Sequence, residues 1–461
     1  MITTEQVVRA TGGILLNGDM NIPFNGVSHD SRTIKPGELF VAIRGPRYDG
    51  HRFVLDAFSR GAKGALVEYW PEDINIFELH RALSIIKVPD TRRALEDLAA
   101  YWRKQLGAKV VAVTGSCGKS TTKEMIASLL APHFRVAKSP GNWNNLIGVP
   151  LSILNTPPET EVLVLELATN RPGEIARLTE IASPDVAVLV SVHPSHLEGL
   201  GDFEGVLKEK LALFEKAPSN AVLVYPYDQE EVRNRARDIC QNRVAWCLSF
   251  GLGEGANVRA KDLEFSKEGT AFRLVFRDRE APVRLPLLGE HFVRDALAAA
   301  AAALALGLSF EEVARGLSQV ETLSRRLEMR SLGPHLLLDD TYNANPASLE
   351  AACQVASKLK DGFSKAIAVV GDMKELGEAS KELHEEAGRK LAQVFDRVFA
   401  VGEEAAALAS AAGSKARHFQ NKEELLEALK GELEEPSLVL VKGSRAMKME
   451  EIVSALEEAY G

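Results

Sequence analysis

Residues 115–121 read Gly-Ser-Cys-Gly-Lys-Ser-Thr, directly after the apolar run Val110–Val113 and Thr114, and a helical pattern starts at Lys119. That order suits an anion. A buried strand ends, Gly115 and Gly118 let the backbone fold around the charge, and the free N–H groups of a helix N-terminus point at it. Lys119 is then placed to neutralise the outer phosphates of a nucleotide, and the Ser120 hydroxyl to hold Mg²⁺. Ser116, Cys117 and Thr121 complete the loop, with Cys117 read as a small loop residue. Gly115 stands four positions before Lys119, a shorter spacing than in the commonest phosphate loop. A glycine-rich strand–helix turn without a ligand is the plain alternative, and the context argues against it.

Phosphoryl transfer also needs groups that meet the charge developing on the γ-phosphate. Glu166 ends the apolar run Val162–Leu165, and His196 follows the run Val186–Val190 in Ser195-His196-Leu197-Glu198. Both fall at loops beyond strand ends, where open α/β sheets bind their ligands. Together they are expected to hold a second Mg²⁺, although imidazole is an unusual magnesium ligand. A lone histidine is more often structural; the neighbouring phosphate loop favours the metal.

Such groups need sheets to carry them, and strand and helix signals alternate along most of the chain. Three α/β domains are expected: residues 1–86, 87–322 and 323–461. The first has short strands at Gly26–Ser28, Leu39–Ile43 and Ala65–Val67 and a helix at Phe53–Arg60. In the second, an amphipathic helix from near Thr91 through Trp102 precedes buried strands at Val110–Val113, Val162–Leu165, Val186–Val190 and Ala221–Tyr225. A β-hairpin at about 258–287 and an alanine-rich helix, Asp295–Leu306, close it. The third places strands at Leu336–Leu338, Ala366–Val370, Val398–Val401 and Leu438–Val441, with a helix opening at Pro346, and reads as doubly wound.

Composition bounds the rest. With 461 residues the chain exceeds one ordinary core, and 46% hydrophobic with 26% charged residues is the balance of a soluble globular protein. A net charge of −9 argues against general nucleic-acid binding. Met1–Glu5 shows no basic segment before an apolar run, so no signal peptide is expected. The longest uncharged apolar stretch, Ala296–Phe310, is too short to span a bilayer. Cys117, Cys240, Cys247 and Cys353 lack zinc-ligand spacing and are expected as reduced thiols in a cytoplasmic protein.

Several segments together resemble the Mur ligases of peptidoglycan synthesis. They are Gly115–Thr121 with Lys123-Glu124, Asn142-Trp143-Asn144-Asn145 with Gly148-Val149-Pro150, Glu166 through Gly173-Glu174-Ile175, and His196-Leu197-Glu198-Gly199. Near the N-terminus Asp30-Ser31-Arg32, Pro36–Phe40 and Asp49-Gly50-His51 fit as well. In the last third Asp339–Pro346, Gly371–Gly377 and Lys442-Gly443-Ser444-Arg445 fit, pointing to the branch of the family that adds a dipeptide. The resemblance implies a small UDP-binding domain, a central ATPase-like domain with the phosphate loop, and a Rossmann-like C-terminal domain. It implies that ATP phosphorylates the terminal carboxylate of a UDP-N-acetylmuramoyl-tripeptide and that the amine of D-alanyl-D-alanine attacks the acyl phosphate.

By that resemblance Lys119 and Ser120 serve ATP and one Mg²⁺, Glu166 and His196 serve metal, and Lys210 matches a lysine carried as a carbamate formed from CO₂. Arg326 falls near the ATP phosphates, Asp340 near the ribose, and His291 and Asp295 near the adenine. Ser31 and Arg32 would contact UDP, and Asn144 and Asn145 the muramoyl-peptide channel. Asn343 and Asn345 would bind substrate, and Lys442, Ser444 and Arg445 carboxylate groups. The protein is expected to be monomeric and to close about linkers near residues 86 and 322, since Lys119 and Asp340 fall on different domains. Three departures stand out: the extra His193 with Pro194 before His196, Asp295 at a usual asparagine, and Ser120 at a usual threonine. Asp295 is expected as an ionised acceptor. Other readings are a related ligase that adds a single amino acid, a folylpolyglutamate synthase, or a non-catalytic nucleotide-binding regulator.

Overall fold

The computed structural model describes all 461 residues. Each third of the chain builds one principal sheet. The first orders its strands Ile14–Asn17, Ser84–Lys87, Gly64–Val67, Leu39–Val41 and Val27–Ser28. Only the first pairing is antiparallel. The flanking strands Ile14–Asn17 and Ser84–Lys87 go beyond the sequence expectation; each is only four residues long, too short for a periodic signal. The expected division at residue 86 falls inside the second of them.

The central sheet has nine strands. Val136–Lys138, Val162–Glu166, Lys109–Thr114, Val186–Leu189, Val222–Pro226, Cys247–Gly251 and Val258–Ser266 pair in parallel in that order. Lys109–Thr114 therefore lies between the strands that end at Glu166 and Leu189, so three ligand-bearing loops leave the same sheet edge side by side. The expected hairpin at 258–287 is instead a three-stranded meander, Val258–Ser266, Gly269–Phe276 and Arg279–Leu285. Two tight turns make it, and Arg277 takes φ +56° in the second, a conformation without a glycine to announce it. The C-terminal sheet orders Glu328–Leu332, His335–Asp340, Ser437–Lys442, Lys365–Val370, Arg397–Val401 and Ala416–Phe419, parallel except for its first pair.

The alanine-rich helix starts at Glu290, earlier than expected, because Gly289 at φ +137° turns the chain immediately before it. Every residue from Ala296 to Ala303 is buried, and this face packs against the phosphate-loop helix Lys119–Leu130. Methyl-sized side chains let the two helices approach closely. One expectation fails outright: Cys240 and Cys247 form a disulfide and are not free thiols. The end of the helix Glu230–Cys240 and the start of the next strand bring their Cα atoms to 6.3 Å, within bridging range. Cys117 and Cys353 remain free. No helix is long and apolar enough to cross a membrane.

The alanine face leaves no room for larger groups. Ala300→Leu is expected to destabilise the protein by about 1–3 kcal/mol through overpacking, read as a lowered urea midpoint. An unchanged midpoint would show the contact to be loose.

Candidate active site

The phosphate loop is held open by its neighbours. Gly115 has φ +158°, and a side chain there would meet the Ser191 backbone at 3.1 Å. Gly118 has φ +80°, and a Cβ would stand 2.2 Å from Asp295 Oδ1. Ser116 is stitched to the loop after Val186–Leu189: its N–H donates to Ser191 O (2.8 Å), its hydroxyl donates to His193 O (2.9 Å), and it accepts from the His193 N–H (2.9 Å). The Cys117 N–H donates to Ser191 Oγ at 3.2 Å. His193 thus supports the loop through its backbone. Lys119 Nζ donates to the Gly115 carbonyl at 2.9 Å.

One cavity of about 720 Å³ takes in most of the expected site. Ser116–Thr121, Asn144, Glu166, His196, His291 and Asp295 line it from the central unit. Arg326, Asp340, Asn343, Asn345, Lys442 and Arg445 line it from the other side. The two units are therefore already together here. The Cys117 thiol lies 3.3 Å from Asn345 Oδ1, and His196 Nδ1 lies 2.7 Å from Glu375 Oε2. Both His196 (φ +51°) and Glu375 (φ +64°) hold left-handed backbone at that contact.

Glu166 is buried. Its Oε1 accepts from Asn144 Nδ2 at 3.0 Å, whereas Oε2 has no hydrogen-bond partner. Lys210 is 0% exposed on the helix Phe203–Lys216, and its Nζ also lacks a partner. Burial, reinforced by the nearby Lys119 charge, pushes its pKa down to about 7. No three His, Cys, Asp or Glu side chains gather into a metal cage. The unpartnered Glu166 oxygen suits Mg²⁺, which usually takes one or two carboxylates and completes its shell with water and phosphate oxygens.

On the far wall, Asp340 Oδ2 accepts from Lys442 Nζ at 2.6 Å, and the same ammonium donates to Asn343 O at 2.9 Å. Lys442 is thus already engaged by protein acceptors. The Arg326 and Arg445 guanidinium carbons lie 3.9 and 5.3 Å from the Tyr342 ring centroid, giving the cavity two cations against one aromatic ring. Burial lowers the His291 pKa to about 4, so its ring is neutral at pH 7. Burial raises that of Asp295 to about 8, against the pull of Arg326 and the Thr122 hydroxyl. The expected ionised acceptor is therefore a neutral acid with one O–H to donate, much as an amide donates.

Other expected residues lie elsewhere. Asn145 Oδ1 accepts from the N–H groups of Ile147 and Gly148. Ser444 Oγ accepts from the Lys374 N–H at 2.8 Å. Arg32 makes a two-pronged pair with Asp30 in the N-terminal unit, at 2.9 and 2.7 Å, and stays largely exposed. The cavity adds Asn142, Asn170, Asp228, Arg294, Tyr342 and Glu375, which the sequence reading gave no role. Asp228 follows the strand Val222–Pro226, so its place beyond a strand end was a usable signal.

Comparison with known proteins places this geometry. Residues 23–103 match the Mur ligase family, catalytic domain; 113–303 the Mur ligase middle domain; and 325–445 the Mur ligase, glutamate ligase domain. The UDP-N-acetylmuramoyl-tripeptide–D-alanyl-D-alanine ligase of Bacillus subtilis (strain 168) is 36% identical over 466 aligned positions, covering 99% of this chain and 98% of that one. The crystal structure of MurF from Acinetobacter baumannii superposes with a TM-score of 0.90 at 35% identity, covering 99% of both chains. MurF ligase from Thermotoga maritima in complex with ADP superposes with a TM-score of 0.83 at 32% identity, covering 94% of this chain and 97% of that one.

The neutral Asp295 carries a pH signature. Asp295→Asn is expected to leave ADP affinity at pH 7 within about threefold, since one donor replaces another. Above pH about 8 the native carboxyl ionises beside the phosphate loop, so native affinity should fall with rising pH while the variant stays flat. Identical pH profiles by calorimetry would refute the assignment.

Proposed function

The chain belongs to the Mur ligase family, and on that basis we infer that it joins D-alanyl-D-alanine to UDP-N-acetylmuramoyl-tripeptide at the expense of ATP. The observation that supports this most directly is the single cavity lined by both the phosphate loop and the Asp339–Pro346 segment. The γ-phosphoryl group passes from ATP to the terminal carboxylate, forming an acyl phosphate and releasing ADP. The dipeptide amine then attacks the acyl carbon, phosphate leaves, and an amide remains. A free carboxylate resists an amine; the acyl phosphate has a good leaving group.

Lys119 exchanges its Gly115 carbonyl for phosphate oxygens, and the loop N–H groups take the rest of the charge. Arg326 and Arg445, anchored on Tyr342, meet anionic groups from the opposite wall. Asn144 orients Glu166. One Mg²⁺ would be held by the Ser120 hydroxyl and a second by the free Glu166 oxygen and His196, and these would supply charge neutralisation. Lys210 suits carbamate formation. Its amine is largely neutral above pH 7, so the nitrogen can attack CO₂ carbon, forming an N–C bond and releasing a proton, which leaves an anion beside the site. Ser31 and Arg32 are assigned to the UDP end. The nucleotide-linked substrate favours the cytoplasm, and a monomer remains the accompanying proposal.

With ATP, the UDP-tripeptide and D-alanyl-D-alanine, the protein should release ADP, and Lys119→Ala should abolish that release. Turnover with a single amino acid but not the dipeptide would overturn the reading. For Lys210, removal of bicarbonate should lower activity, and Lys210→Ala should be inactive but partly restored by acetate. Normal activity in the untreated variant would exclude a carbamate.

A further inference from the structure

Lys123 lies one turn beyond the phosphate loop on the helix Lys119–Leu130 and is only 1% exposed. A buried ammonium must place three protons, and leaving them unsatisfied is costly. Here Nζ donates to Ser139 O at 2.9 Å and, at a longer 3.4 Å, to Gly141 O. It also lies 3.4 Å from Glu124 Oε1 and 3.9 Å from Glu166 Oε2. Both carbonyls belong to the segment that leaves the edge strand Val136–Lys138 and leads to Asn142 and Asn144, which line the cavity. The segment is tied to Glu166 twice more: the Glu166 N–H donates to Ser139 Oγ at 2.9 Å, and Asn144 Nδ2 donates to Glu166 Oε1 at 3.0 Å. Lys123 itself does not line the cavity.

We propose that Lys123 is a positioning residue: its buried ammonium binds the nucleotide helix, the 139–145 segment and Glu166 into one unit, so that Asn144 meets the substrate carboxylate in register with the ATP phosphates. Other bonds fix the segment to Glu166 and its strand, and the Lys138–Glu124 ion pair joins the preceding edge strand to the helix; from the helix that carries Lys119 and Ser120, Lys123 is the side chain that reaches both the Ser139 and Gly141 carbonyls and Glu166. An apolar side chain of equal length would fill the space but leave the two carbonyls without their donor. The inference deepens the ligase reading and rests on it for the identity of the carboxylate.

The test compares full-length native protein, Lys123→Met, Asn144→Ala and the double variant in steady-state turnover, with ADP affinity by calorimetry. Each single variant should lose about tenfold in kcat/KM for the UDP-tripeptide while ADP affinity stays within about threefold. The double variant should be no worse than the poorer single variant by more than about twofold, because one arrangement is lost once. Losses that multiply, or a loss confined to ADP affinity, would overturn the proposal. Should the methionine variant not fold, Lys123→Gln keeps an amide donor and is put through the same cycle, with partial recovery of kcat/KM expected and multiplying losses again fatal. Native protein without turnover would refute the ligase reading instead. Hydrogen exchange then decides: amides of 139–147 should exchange faster in the variant than in native protein, and equal rates would overturn the proposal.

Discussion

A phosphate loop is a set of backbone N–H groups with no partner inside their own helix, and such groups stay poised only if surrounding structure prevents collapse. Here the constraint is close packing without side chains. Gly118 has Asp295 where its Cβ would be, and Gly115 has the Ser191 backbone. The alanine face of the helix Glu290–Ala305 brings Asp295 to that position, and the central sheet places Ser191–His193 beside Ser116. Everything else in the site is referenced to that rigid loop.

Charge in the cavity follows the same economy. Several ionisable groups buried there are neutral or internally matched at pH 7: His291 and Asp295 are uncharged, and Lys442 faces Asp340. What remains for ligands is what an ATP-dependent ligase needs, namely Lys119, the Arg326 and Arg445 guanidiniums, and one Glu166 oxygen without a hydrogen bond. Substrates therefore meet little competing charge, and a low-dielectric pocket makes each remaining interaction stronger.

Local features were legible in the sequence. The phosphate loop, Glu166 at a strand end and the helix opened by Pro346 each depend on residues adjacent in the chain. Partnerships across long sequence distances were not. Nothing near Lys210 in the sequence indicates that it is buried beside Lys119, and nothing near His196 indicates Glu375. The ionisation of Asp295 was misjudged because residue type fixes a reference pKa, whereas burial fixes the departure from it. The Cys240–Cys247 bridge was missed for a similar reason: a seven-residue separation carries no signal until a helix end and a strand start converge. The third meander strand was lost because Arg277 occupies a turn position that glycine normally marks.

The Cys117 thiol rests on Asn345 from the C-terminal unit, with burial raising its pKa. Since the thiolate is the reactive form, the thiol is muted while the units meet. Water reaching the loop would lift that burial and restore nucleophilicity at the mouth of the nucleotide seat, whereas the Asn345 contact by itself favours the thiolate. The reactivity of a side chain that looked like filler in the loop therefore follows how much water reaches it.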